Sequence, residues 1–196
     1  MMNDTVTIRA GKPFAIEMDK GDYFILPSND GLVRYDVYSV DHPERIRITK
    51  SENGLNILAG DSVHRLKMRI YVPRDVFVKV SLKNGNLDFS GLQNGVEARI
   101  VNGYLIFTPF ENPQQQYAID LKIASGVLVY NVGETSSEIS TEVKIGQTEN
   151  HAGCPITLFE KIGYTGEKKN LQCDSTPAQR QKVRLSVENG TIVVEK

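Results

Sequence analysis

Tryptophan is absent from this chain, cysteine occurs twice and histidine three times in 196 residues. No apolar run approaches the roughly 20 residues that a membrane-spanning helix needs. The segment from Met1 to Pro13 lacks a basic stretch followed by an apolar core, so no signal peptide is visible. The cytoplasm is therefore the expected compartment by default, and the cell surface or the exterior if a leader has been removed. Excess charge of either sign is also missing. Lys and Arg total 23 against 24 for Asp and Glu, a net charge of -1, which gives no general attraction to nucleic acid or to an acidic membrane surface.

Motifs that carry chemistry are scarce. His42, His64 and His151 lie in different segments. His151 and Cys154 with Cys173 offer three zinc ligands, where structural zinc sites use four in tight pairs. A loop histidine beside ordinary thiols is the simpler reading. Cys154 and Cys173 form one disulfide or remain two thiols, and a reducing compartment favours thiols. No Gly-x-Ser-x-Gly elbow or His-Glu-x-x-His occurs, and Gly163 to Gly166 leads into Glu-Lys-Lys rather than the Lys-Ser/Thr of a phosphate loop. No catalytic residue, metal ligand or cofactor site is expected, and the chain reads as non-enzymatic.

What the chain does have is a repeated unit. Asn-Gly or Ser-Gly stands between runs with apolar residues at every second position, around Gly85, Gly103, Gly126 and Gly190. Counting five and three residues before the glycine and two and four after it gives Val80, Leu82, Leu87 and Phe89 for Gly85, and Ala98, Ile100, Leu105 and Phe107 for Gly103. The same places hold Leu121, Ile123, Leu128 and Tyr130 for Gly126, and Leu185, Val187, Ile192 and Val194 for Gly190. Intervening residues such as Lys79, Ser81, Asp88, Lys122, Arg184 and Glu188 are polar, the period of two of a strand with one buried face. Gly31 keeps the pattern in part, with Ser28 intruding. Around Gly54 the apolar residues Ile46, Ile48, Leu55 and Ile57 run one step out of phase, which marks a bulge or an ordinary turn.

The turns Asn84-Gly85, Asn102-Gly103, Ser125-Gly126 and Asn189-Gly190 support two architectures. As type I′ hairpins they would set Leu82 opposite Leu87 in an antiparallel β-sandwich. As corners at which the chain bends without reversing, they would stack successive coils of a β-solenoid. The spacings of 18 residues from Gly85 to Gly103 and 23 from Gly103 to Gly126 suit one small coil each.

Hydrophobic content of 40% with 24% charged residues fits one globular β domain over 1–196. Strands are expected at 6–8, 23–26, 32–40, 45–49, 55–58 and 63–71, divided by Gly11, Pro13, Gly21 and the turn from Pro27 to Gly31. The regular region runs from 23 to 132, with a polar loop from Pro109 to Gln116. The polar stretch 133–166 reads as an excursion or insertion, and 183–196 as a closing strand pair that rejoins the core.

From Tyr23 to Tyr130, the early Asp30-Gly31, the step Val72-Pro73-Arg74-Asp75-Val76, then Asn84-Gly85, Leu92-Gln93-Asn94-Gly95-Val96 and Asn102-Gly103 resemble the bacterial putative-adhesin family of β-solenoid domains. The resemblance covers about two thirds of the chain and implies a right-handed, single-stranded β-solenoid; it carries no catalytic residues. A second stretch, from Ile156 to Gly166 with its aromatics Phe159 and Tyr164, looks like one βγ-crystallin Greek-key hairpin, although the calcium-binding Ser/Thr-Ser signature is missing at Asp174-Ser175-Thr176.

The leading functional expectation is an adhesion-like or scaffold module that binds a macromolecule, protein or glycan, or a second copy of itself through exposed strand edges. A carbohydrate-binding or carbohydrate-active domain is the alternative, with Phe77 and the outward Tyr104 as the aromatic surfaces on offer. A calcium-binding crystallin-like tail is the third.

Overall fold

The computed structural model describes residues 2–7, 12–92, 94–109, 118–131, 137–150, 156–158, 168–173 and 181–195. These form thirteen strands of one mixed sheet, and the only helical element among the described residues is a 3-10 turn, Pro43–Arg45. The strands are β1 (Met2–Thr7), β2 (Phe14–Ser28), β3 (Leu32–Val40), β4 (Ile46–Ser51), β5 (Gly54–Ala59), β6 (Leu66–Pro73) and β7 (Val78–Ser90). There follow β8 (Val96–Thr108), β9 (Ala118–Asn131), β10 (Ser137–Asn150), β11 (Ile156–Leu158), β12 (Lys168–Cys173) and β13 (Gln181–Glu195).

The glycine units organise this sheet. Each lies inside one long strand, and its two arms do not pair with each other. β7 pairs in parallel with β2 on one side and β8 on the other, so that Leu82 stands beside Met18 and Ile100 rather than opposite Leu87. The parallel run continues through β9, β13 and β10, placing Gly21, Gly85, Gly103, Gly126, Gly190 and Gly146 in one cross-strand row.

Along β7 the buried residues are Val78, Val80 and Leu82, then Leu87 and Phe89, so the alternation changes phase between the arms. Gly85, with φ 135, lies at that change. In a regular strand an odd step sends a side chain to the opposite face; the kink cancels that reversal, and both arms contribute to one hydrophobic core. A Cβ at Gly85, Gly103, Gly126, Gly190 or Gly146 would overlap the carbonyl oxygen of the preceding glycine in the row. Positive φ and close backbone approach together leave room only for glycine.

Five buried rows flank the glycines. Before them run Phe14, Val78, Val96, Ile119 and Val183; Ile16, Val80, Ala98, Leu121 and Leu185; and Met18, Leu82, Ile100, Ile123 and Val187. After them run Tyr23, Leu87, Leu105, Leu128 and Ile192, then Ile25, Phe89, Phe107, Tyr130 and Val194. The ring centroids of Phe89 and Phe107 lie 5.8 Å apart, and those of Phe107 and Tyr130 lie 5.9 Å apart with the rings nearly parallel. These spacings fall in the favourable range for aromatic pairs.

The β2 side of the parallel run is covered. The first arm of β2 pairs with β5, itself closed by β4 in an antiparallel hairpin, and the second arm pairs with β6, which leads to β3 and β1. Gly54 belongs to the β4–β5 hairpin, where Ile46 and Ile48 face Ala59 and Ile57. Its neighbours run out of phase because it is an ordinary hairpin residue outside the row. Gly31, with φ 70, turns the chain from β2 to β3 and is likewise outside the row.

Two glycines of the row escaped the sequence reading. Gly21, taken there as a divider between strands, sits within β2, and its pattern is complete: Ile16 and Met18 before it, Tyr23 and Ile25 after it. Lys20 precedes it where the units of Gly85, Gly103, Gly126 and Gly190 have Asn or Ser, so it lacks the dipeptide that marks those four. Gly146 lies within the polar stretch 133–166, where β10 pairs in parallel with β13 from Ser137 to Asn150. Thr141, Thr148 and Asn150 replace apolar residues at three of its four pattern positions. β13 itself pairs with β9, so the last strand of the chain lies between β9 and β10.

The loop from Pro109 to Gln116, apart from Pro109, lies outside the described residues, as do Cys154, His151, Asp174-Ser175-Thr176 and Phe159 to Gly166 of the crystallin-like hairpin. Of Cys173 only the backbone, at the end of β12, is described.

Candidate functional site

With the inward face committed to packing, function falls to the outward face, and its two arms differ. On the first arms, Lys79, Glu97 and Asp120 stand side by side, as do Ser81, Arg99 and Lys122. Glu97 accepts from Lys79 Nζ at 3.1 Å and from Arg99 at 2.7 Å, and Lys122 reaches Asp120 at 2.9 Å. The hydrogen bond from Lys79 holds the Glu97 carboxyl below its usual range, aided by the Lys79, Arg99 and Lys122 charges and opposed by desolvation. These five side chains are held mainly by one another, with Asp120 Oδ1 buried and unbonded among the described residues.

The residues before the glycines form a polar row of Lys20, Asn84, Asn102, Ser125 and Asn189, and Asn102 donates from Nδ2 to Asn84 Oδ1 at 3.0 Å. Asn84 and Asn102 are short enough to lie along the kink, and their bond ties one unit to the neighbouring strand.

On the second arms the outward rows are Asp22, Asn86, Tyr104, Val127 and Thr191, then Phe24, Asp88, Ile106, Val129 and Val193. Between β2, β7 and β8 they enclose an open groove of about 340 Å³ bordered by Asp22, Phe24, Asn86, Asp88, Tyr104 and Ile106. Tyr104 is 38% exposed. Asn86 donates to Asp22 Oδ1 at 2.7 Å, and Lys67 Nζ lies 3.8 Å from Asp22 Oδ2. Asp88 is half-buried between Phe24 and Ile106 on the adjacent strands. Among the described residues it makes no hydrogen bond or ion pair, and burial pushes its carboxyl above the usual range.

A larger depression, about 740 Å³, lies by the β2–β3 turn and is bordered by Asp4, Ser28, Asp30, Arg34, Asp36 and Tyr71. Most of its charges are paired, Arg34 with Asp30 and Asp4 with Lys50, and Ser28 bonds to Asp30; Asp36 has no ion pair or side-chain hydrogen bond among the described residues. The smaller groove is the better candidate because its acid, without a partner among the described residues, is desolvated between Phe24 and Ile106 and stands beside the exposed Tyr104 ring. Sequence reading marked Tyr104 as outward; Asp88 passed as an ordinary polar position, because the apolar neighbours that desolvate it come from strands 18 and 64 residues away. Among the described residues no group of three His, Cys, Asp or Glu side chains could hold a metal ion, and no helix is long and apolar enough to cross a membrane.

Fold and groove together define an all-β chain built on a parallel row of glycine kinks, with an open groove on its outer surface. No family model matches the chain, and no curated protein matches it. Among solved structures, a putative cell adhesion protein from Clostridium sporogenes ATCC 15579 superposes with a TM-score of 0.58 at 11% identity, covering 99% of this chain and 98% of that one. A putative adhesin from Bacteroides fragilis NCTC 9343 follows at TM-score 0.39 and 12% identity, with 98% and 96% covered. A putative lipid binding protein from Parabacteroides distasonis ATCC 8503 has a TM-score of 0.25 at 10% identity, with 99% and 97% covered. The first of these shares the fold.

Proposed function

We propose that the chain is a non-enzymatic, adhesion-like binding module, that its parallel strands are the coils of a right-handed β-solenoid, and that it engages a macromolecular partner through the outward face of the second arms. The observation that carries this reading is the asymmetry of the outer surface. Lys79, Glu97, Arg99, Asp120 and Lys122 of the first arms pair among themselves, while the second arms expose Tyr104 and leave Asp88 without a partner among the described residues. The fold shared with the Clostridium protein is compatible with it.

Binding of the purified chain to immobilised extracellular-matrix proteins and to a glycan array tests the module. Saturable binding to a protein is expected, without release of reducing sugar from any glycan. Failure to bind any surface, or turnover of a glycan, would remove the reading. Two further readings belong to the same test. A carbohydrate ligand is favoured by Tyr104 beside Asn86 and Asp22, and a glycan as sole ligand would establish it. Self-association is favoured by residues 143–150 of β10, which among the described residues pair only with β13; a monomer at all concentrations in light scattering would exclude it.

A further inference from the structure

Building on the module reading, we propose that the groove around Asp88 seats a lysine or arginine side chain from a protein partner. Charge complementarity favours such an occupant. Asp88 is a half-buried carboxylate without a partner among the described residues, and the neighbouring cations are already engaged: Lys67 at Asp22, and Arg69 over the ring of Tyr38 with its guanidinium carbon 4.8 Å from the centroid. An incoming cation would find a carboxylate at the floor, Phe24 and Ile106 for its aliphatic stem, and the Tyr104 ring at the rim.

The same surface already holds one such arrangement. Arg69 lies beside Phe24 in the β2–β6 register, and Tyr38, on which it stacks, contacts the Phe24 ring at 6.3 Å. The groove would repeat that contact in trans. A sugar fits less well, because its hydroxyls need donors as well as acceptors. One of the two Asn86 Nδ2 hydrogens is given to Asp22, so apart from the other and the Tyr104 hydroxyl the groove's side chains present acceptor oxygens. A desolvated acid in this setting favours a cation, which adds an opposite charge to the hydrogen bond that a neutral donor supplies alone.

The test titrates the whole chain, followed by backbone amide NMR, with acetyl-leucyl-lysyl-leucinamide, the same peptide carrying norleucine for lysine, methyl glucoside and glucosamine. The lysine peptide is expected to shift the amides of Phe24, Asp88 and Tyr104, and Asp88→Asn to weaken it about tenfold, the scale of one partly desolvated charge pair. Ile106→Lys, which sets a lysine beside Asp88 on the next strand, should abolish binding while keeping the fold, and this guards against a misfolded Asp88→Asn chain. Equal shifts from the norleucine peptide, retention of binding by both variants, or preference for either sugar would overturn the proposal. A partner found on the protein surfaces that binds Asp88→Asn and Ile106→Lys as well as the parent chain would leave the module reading standing and sink this one alone.

Discussion

The two arms of each glycine unit share one inward design and differ outside. Inward, both arms carry large apolar residues in register over five strands. Outward, the first arms bear Lys79, Glu97, Arg99, Asp120 and Lys122 in mutual contact, whereas the second arms bear Tyr104, Ile106, Val127 and Val193 with few charges. Packing constrains the inner face equally in both arms, so that face carries no information about a partner. The outer face has no such constraint, and the difference there is where function can be read.

The sharpest way to break the shared inner design is at a glycine. Gly103→Ala places a Cβ on the Gly85 carbonyl oxygen at φ 145 and offers no flexible atom to move. A loss of more than about 4 kcal/mol is expected, enough to prevent folding of a marginal domain. Gly31→Ala, at φ 70 with nothing within 4 Å of its Cβ, should cost only about 1–2 kcal/mol. Urea unfolding of both variants gives the contrast; similar losses at the two sites would show that the row confers no special constraint.

Next in size is Phe107→Ala, which opens a cavity between Phe89 and Tyr130 in a fully buried row. Destabilisation of about 3–5 kcal/mol is expected in the same assay. Excision of the 18 residues Asn86 to Gly103, joining Gly85 to Tyr104, probes the coil reading itself. Because each rung in a stack contacts mainly its neighbours, the shortened chain should still unfold cooperatively. Loss of cooperative unfolding would argue against interchangeable coils.

Legibility in the sequence followed the same division. The buried rows were readable because Leu82, Ile100, Ile123 and Val187 repeat at fixed offsets from a glycine, and all of them are buried. How the strands connect was not readable, since the same offsets suit a hairpin and a corner; only the pairing of Asn84-Gly85 with Asn102-Gly103 separates the two locally. Gly21 shows that the apolar offsets are a stronger signal than the Asn-Gly dipeptide. The groove was nearly invisible, because an outward Asp looks alike whether water or a phenyl ring stands beside it, and Phe24 is brought to Asp88 by pairing rather than by sequence.

The smallest expected effects carry the comparison between outer faces, because the two acids should answer pH with opposite signs. Glu97 is held below its ordinary value of 4.5, first by the Lys79 hydrogen bond, so its contribution to stability is present at neutral pH and lost as pH falls through the lowered value. Glu97→Gln should therefore cost under about 1 kcal/mol at pH 7, and the difference should close in acid. Asp88 is raised above its ordinary value of 3.8 by burial, so its folded form favours the neutral acid. The stability that neutral form contributes is complete below 3.8 and disappears as pH rises through the raised value. Asp88→Asn, a neutral side chain of nearly the same shape, should then match the parent in acid and exceed it by no more than about 0.5 kcal/mol at pH 7. Thermal unfolding of the two variants across pH 3 to 7 reads both signs at once. If Asp88→Asn were instead destabilising at pH 7 and neutral in acid, as expected for Glu97→Gln, Asp88 would have a stabilising partner in the folded chain, and the outer faces would not differ as proposed.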